Sequence, residues 1–180
     1  LDGLADYVES GIVKEIGVSN FGPKRLEWIH KKLAVRGISL KSLQVQFSLL
    51  SLQSLWNTEL KEVCKKLNVK LISYSPLALG VLTLKPEAMP SQGTFLRRSI
   101  FKYLVPGSKE LRKGLYSIAK SRNVSQAQVA LNWCRAHGTC PIPGLRNPEQ
   151  AQDAISALRW EMTQGERQFL DELSNNCKVH

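Results

Sequence analysis

The feature that most restricts the fold is a repeated alternation of short β-branched or apolar runs with stretches whose apolar residues return at helical spacing. Val13 to Val18 is the first run, ending in Ser19-Asn20. Pro23 then opens a helix in which Leu26, Ile29 and Leu33 share a face, and Gly37 stops it. Ser42 to Phe47 is the second run, followed by a loop through Leu55 and a helix with Leu60, Val63, Cys64 and Leu67 on one side. Lys70 to Tyr74 is the third. After it comes an irregular stretch from Pro76 to Ser108, then a helix carrying Leu111, Leu115 and Ile118. Ser125-x-x-Gln128 predicts a capping box, with the hydroxyl accepting a backbone N–H and the amide reaching back, ahead of a face of Ala127, Ala130, Leu131 and Cys134. Thr139 to Pro143 is the fourth run. Asn147-Pro148 predicts the start of a helix with Ala151, Ala154, Ile155 and Leu158 on its apolar face. Thr163-x-x-Glu166 predicts the start of a last one with Phe169, Leu170 and Leu173.

Strands that alternate with helices pair in parallel, because parallel neighbours need a crossover, and the helices lie outside the sheet. A doubly wound sheet that binds a dinucleotide carries G-x-G-x-x-G after its first strand, and no such turn is present. A (β/α)8 barrel takes eight strands and roughly 250 residues. The 180 residues supply four strands, so the expected architecture is one α/β unit over residues 1–180, half of such a barrel. A sheet of this kind has two open edges and a concave face without a partner.

Composition excludes several other classes. With 43% apolar residues, 12 Gly and 8 Pro, the chain is neither disordered nor collagen-like. Cys64, Cys134, Cys140 and Cys177 lack C-x-x-C spacing and read as reduced thiols. His30, His137 and His180 are scattered and expected at the surface, so no metal site is expected. No apolar run approaches the ~18 residues of a membrane span. The first residues, LDGLADYVESG, are acidic where a signal peptide is basic, and with Leu1 at the start any targeting segment is out of view. The net charge of +10 includes a cluster of Lys24, Arg25, Lys31, Lys32 and Arg36. Without aromatic-interleaved strands or a base-reading motif, this is expected to be a solvated helix face rather than a nucleic-acid surface.

In a barrel, function sits where strands end and βα loops begin. There the chain has Gly17-Val18-Ser19-Asn20-Phe21, Gln44-Val45-Gln46-Phe47, Tyr74-Ser75-Pro76-Leu77 and Pro141-Ile142-Pro143-Gly144. The segments IGVSNFGP, LISYSPLALGVLT and PIPGLRNPEQ, in this order and spacing, resemble the aldo-keto reductase family over essentially the whole chain. They correspond to the C-terminal half of the family's (β/α)8 barrel. QVQFSLLS and the Gly of PIPG are similar to the plastid and cyanobacterial branch, and the expected location is chloroplast or cytoplasm.

The resemblance implies an NADPH-dependent enzyme that reduces an aldehyde or ketone to an alcohol. Ser19 and Asn20 match the pair that hydrogen-bonds the nicotinamide carboxamide, one hydroxyl and one amide serving its C=O and NH2. Gln44 matches the glutamine that joins them; the alternative is a strand residue in a polar barrel layer. Tyr74 matches the aromatic that stacks on the nicotinamide, against the alternative of a core tyrosine. Ser75, Leu77, Leu79 and Gly80 match the loop along the pyrophosphate, where main-chain N–H groups meet phosphate oxygens. Gly144, Arg146, Asn147, Gln150 and Asp153 correspond to the residues that hold the adenosine 2′-phosphate and adenine. Arg146 is the best phosphate partner, beside a helix N-terminus, its alternative being a solvated surface arginine. Gly144 and Ala154 stand where many members have Lys and Asn, and Leu84 where a glycine is usual, although Lys85 remains.

The family's chemistry uses a tyrosine proton donor assisted by Lys and Asp, with a His near the substrate oxygen, all in the barrel's first half. None of those motifs occurs in the chain. A positioned proton donor is worth on the order of 10²- to 10⁴-fold, so the chain alone is expected to be inactive. Two alternatives are a non-catalytic NADPH-sensing regulatory subunit of the same fold and a basic nucleic-acid-binding fragment. Substrate identity and oligomeric state are not legible. Within Leu84 to Ser108, Phe95, Phe101 and Tyr103 are expected either to line a pocket or to cover the barrel rim.

Overall fold

The computed structural model describes residues 2–51, 58–88 and 95–177. The order is α1 (Asp2–Glu9), β1 (Ile16–Ser19), α2 (Pro23–Ala34), β2 (Leu40–Gln46), α3 (Thr58–Lys66) and β3 (Lys70–Tyr74). A 3₁₀ turn (Ala78–Thr83), α4 (Phe95–Gly107), α5 (Lys109–Arg122) and α6 (Gln126–Ala136) follow, then β4 (Cys140–Ile142), α7 (Pro148–Ser156) and α8 (Gln164–Asn175).

The strands form one parallel sheet in the order β1-β2-β3-β4. Side chains alternate across it: Leu43, Val45 and Phe47 are buried with the helices, among Leu26, Leu60, Leu115 and Trp133, while Gln44 and Gln46 point the other way. That second face, with Tyr74, Cys140 and Ile142, is half-buried or exposed, as the inner face of half a barrel would be. Register puts Ser19 beside Gln44, Gln46 beside Tyr74 and Tyr74 beside Ile142. β1 slips by one residue between Ile16 and Gly17, where a Cβ on Gly17 would collide with the Ser42 hydroxyl.

Several expectations need correction. The stretch from Pro76 to Ser108 is not irregular throughout, since it holds the 3₁₀ turn and α4. α1 was not foreseen. It is tied down by Arg36, which bonds Asp6 and Glu9 at 2.6 Å each, so one member of the basic cluster is neutralised by acids far away in sequence. The expected apolar face of α7 is not core: α7 has no buried residue, and Ile155 and Leu158 are 55% and 64% exposed. Ser125 accepts the Gln128 N–H at 3.1 Å, but the Gln128 amide turns to Asp153, so that capping box is half-formed. The Thr163–Glu166 box is complete. His137 is not a surface residue; it lies between Lys61 and Asp171, and His180 and Leu55 are outside the described residues. Cys64, Cys134 and Cys177 are buried free thiols and Cys140 an exposed one.

Candidate functional site

The C-terminal ends of the strands bring separate segments together. Asn20, one residue past β1, has a left-handed backbone (φ 57°), which asparagine tolerates better than most residues. Its N–H donates to the Gln44 carbonyl at 2.8 Å, and its side-chain oxygen accepts the Tyr74 hydroxyl at 3.2 Å. Ser19 and Gln44 are register partners. Ser19, Asn20, Gln44 and Tyr74 thus form one polar patch at the mouth of the open face.

β3 runs from Tyr74 into a tightly folded loop. Ser75, Ala78, Leu79 and Gly80 all have positive φ, at 53°, 47°, 57° and 96°. For a non-glycine residue this conformation costs on the order of 1–3 kcal/mol and persists only where the surroundings enforce it. Local enforcement comes from the Ala78 N–H to the Ser75 carbonyl and the Gly80 N–H to the Leu77 carbonyl, both 2.9 Å. At the loop's far end the Gln126 amide donates to the Leu84 carbonyl at 3.1 Å. The buried Arg112 guanidinium donates to the carbonyls of Lys85 at 2.6 Å and Val105 at 3.0 Å.

The facing wall follows β4. Asn147 caps α7 by accepting the Gln150 N–H at 2.9 Å, and the Gln150 side chain accepts the Arg146 N–H at 2.9 Å. Arg146 itself is exposed. Asp153 accepts the Ser125 hydroxyl and the Gln128 amide, each at 2.6 Å.

Between these walls lies a cavity of about 860 Å³, within the roughly 300–1,000 Å³ typical of ligand pockets. Ser75, Leu77, Leu79 and Gly80 line one side, and Gly144, Arg146, Gln150 and Asp153 the other. Asn147 does not line it, and the Ser19, Asn20, Gln44 and Tyr74 patch lies beside it, joined through Tyr74–Ser75 and through Ile142, which lines the cavity and pairs with Tyr74. Phe101 is 4% exposed and belongs to the core, while Tyr103 is 59% exposed; neither lines the cavity. The Phe95 side chain is outside the described residues.

Sequence reasoning missed Arg112 and Gln126 and gave Gln128 only a capping role, though all three are polar side chains that hold the two walls. Their signal was available: a basic residue and two glutamines next to positions that the helical period buries. Ala127 and Leu131, read as a core face, form part of the cavity lining. Among the described residues there is no cluster of three side chains suited to a metal ion, and no helix is long and apolar enough to cross a membrane.

The aldo/keto reductase family model matches residues 1–175. The chain is 44% identical over 170 residues to the chloroplastic pyridoxal reductase of Arabidopsis thaliana, covering 94% of this chain and 46% of that protein. It is 30% identical to the 9,11-endoperoxide prostaglandin H2 reductase of Trypanosoma cruzi, covering 98% of this chain and 51% of that one. The solved structure of a thermostable aldo-keto reductase with the inhibitor epalrestat superposes with a TM-score of 0.68 at 22% identity, over 96% of this chain and 53% of that one. The chain thus spans about half the length of these relatives, and its four-stranded parallel sheet is half of their (β/α)8 barrel. By sequence match along nearly its whole length and by fold, the chain belongs to the aldo/keto reductase family.

Proposed function

We propose that the chain supplies the NADPH site of a reductase that converts an aldehyde or ketone to an alcohol. The observation that carries this reading is the continuity of the polar patch at the strand ends with the cavity between the β3 loop and α7. The walls suit a long ligand with phosphates. The loop presents closely approachable backbone at Gly80, and Arg146 and the N-terminus of α7 supply positive potential. When bound, NADPH supplies the hydride. Ser19, Asn20 and Gln44 are assigned to the carboxamide, and the Tyr74 ring, steadied by its bond to Asn20, to the face of the nicotinamide. Ser75, Leu77, Leu79 and Gly80 are assigned to the pyrophosphate. Gly144, Arg146, Asn147 and Gln150 are assigned to the 2′-phosphate and adenine, with Asp153 on the same wall.

The test is a fluorescence titration of the purified chain with NADPH and NADH. Arg146→Ala should weaken NADPH binding by roughly 10- to 100-fold, the scale of a lost charged hydrogen bond, and leave NADH unchanged. Equal losses for the two nucleotides would remove Arg146 from the 2′-phosphate, and no binding of either by the wild-type chain would sink the cofactor reading. The 44% identical pyridoxal reductase makes pyridoxal the first carbonyl compound to assay, and its chloroplastic name favours a plastid location, which a fluorescent fusion of the complete reading frame would test.

A further inference from the structure

We propose that Asp153 is a positioning residue, bound to α6 rather than to nucleotide, and that it aims the N-terminus of α7 at the cavity; this rests on the cofactor reading above. α7 buries no residue fully, and Ala151 and Ala154 are its only half-buried apolar residues, so apolar packing contributes little to its placement. What holds it is polar. Asp153 Oδ2 accepts the Ser125 hydroxyl and Oδ1 the Gln128 amide, at 2.6 Å each, so both carboxylate oxygens already have donors. The Gln128 side-chain oxygen Oε1 in turn accepts the Trp160 indole N–H at 3.2 Å. Just beyond α7, the Ala157 carbonyl accepts from Asn132 and Arg135, both at 2.8 Å.

These grips are all on the C-terminal part of the α7 segment. The end that carries Arg146, Asn147 and Gln150 is held through the helix itself and its cap. A helix moves as a rod on this scale, with about 1.5 Å of rise per residue. Releasing Asp153 therefore lets the far end swing, and the misplaced groups are the cavity-lining ones. Ser125 strengthens the coupling, because one hydroxyl donates to Asp153 and also accepts the N–H that starts α6. Charge-assisted bonds of this length are the stronger kind, which suits a tie working with little apolar support.

The test is a double-mutant cycle on nucleotide affinity, with Gln128 as the partner because Gln128 is not part of the cavity lining. Asp153→Ala and Gln128→Ala should each weaken NADPH binding on the order of tenfold, the lower end of what supporting residues contribute at metal sites. The double variant should be no weaker than the worse single one. Asp153→Asn, which keeps an acceptor for one donor, should recover part of the loss, and the preference for NADPH over NADH should fall in parallel with that of Arg146→Ala. If Gln128→Ala binds NADPH within twofold of wild type while Asp153→Ala does not, the carboxylate acts on the nucleotide directly and the proposal is wrong. Additive losses also overturn it. Amide exchange without ligand separates this idea from the cofactor reading. Faster exchange confined to 148–156 in both single variants supports the tie even if NADPH does not bind, and unchanged exchange there refutes it. The same exchange map identifies a variant that has lost its fold, for which Asp153→Asn is the substitute.

Discussion

Trp133 is the largest fully buried side chain among the described residues. It is stacked on Phe47 at 4.8 Å and donates its indole N–H to Asp171 at 2.7 Å. Trp133→Ala should cost about 3–5 kcal/mol, read as a lower midpoint in urea; a loss under about 1 kcal/mol would mean the site collapses without penalty. His137 packs against the same ring and links three helices. Its Nδ1 lies 3.2 Å from the Lys61 ammonium, which can only donate, so Nε2 carries the proton and donates to Asp171 at 2.9 Å. Burial, reinforced by Lys61 and Arg167, holds His137 below its ordinary value of 6.5 against the opposing pull of Asp171. The unfolded chain then binds a proton at a higher pH than the folded one. The contribution is complete above about 6.5 and is lost as pH falls from there toward the depressed folded value. Urea midpoints at pH 7.5 and 5.5 should differ more for wild type than for His137→Asn, and identical differences would clear His137 of the effect. None of this was legible from the histidine's neighbours in sequence, because Lys61 and Asp171 arrive from other helices.

At the scale of elements, capping explains what burial does not. α8 opens on Thr163, whose hydroxyl accepts the Glu166 N–H at 3.2 Å while the Glu166 carboxylate accepts the Thr163 N–H at 2.8 Å. The same carboxylate pairs with Arg122 of α5 and is held down at about 2, chiefly by that guanidinium. Thr163→Ala should cost about 1 kcal/mol in thermal or urea unfolding, and no change would mean that the Arg122 pair alone fixes the start of α8. Here a pattern four residues long was enough to foresee the geometry. The parallel pattern at Ser125 was only half right, because the Gln128 amide had a carboxylate within reach. The Gln128 side-chain oxygen, the atom that would accept the Ser125 N–H, instead accepts the Trp160 indole N–H at 3.2 Å. The apolar face expected on α7 failed for a related reason: 3.6-residue spacing identifies a helix, but not whether a second surface exists to cover it. The β3 loop is the opposite case. Its far end, at Leu84 and Lys85, is held by Gln126 of α6 and Arg112 of α5, partners that no local reading could supply.

For the whole molecule, the open face of the sheet is the dominant fact. Gln44, Gln46, Tyr74, Cys140 and Ile142 lie half-buried or exposed on the side away from the helices, where a complete barrel would have its interior. On the reading proposed above this mouth would hold a hydride donor, and the chain is expected to lack the family's proton-donor motifs. The purified chain mixed with NADPH and pyridoxal should therefore show no aldehyde-dependent loss of NADPH absorbance. Turnover that Tyr74→Phe leaves unaltered would overturn this, since it would place a donor elsewhere in the chain. By itself the sequence determined the number and order of the strands, the parallel topology, the starts of α2, α6, α7 and α8, and the segments that meet at the strand ends. These depend on local period and on turn and cap chemistry, which operate over a few residues, and on the crossover rule, which operates over one strand-helix-strand unit. Only the tertiary structure decided that Asp153 is committed to α6, that His137 is enclosed, that Arg36 is paired with α1 and that α7 is held by polar ties. Those outcomes depend on which distant donors and acceptors the fold brings within reach of one another, and hydrogen bonding between side chains from different elements leaves no periodic trace in the chain.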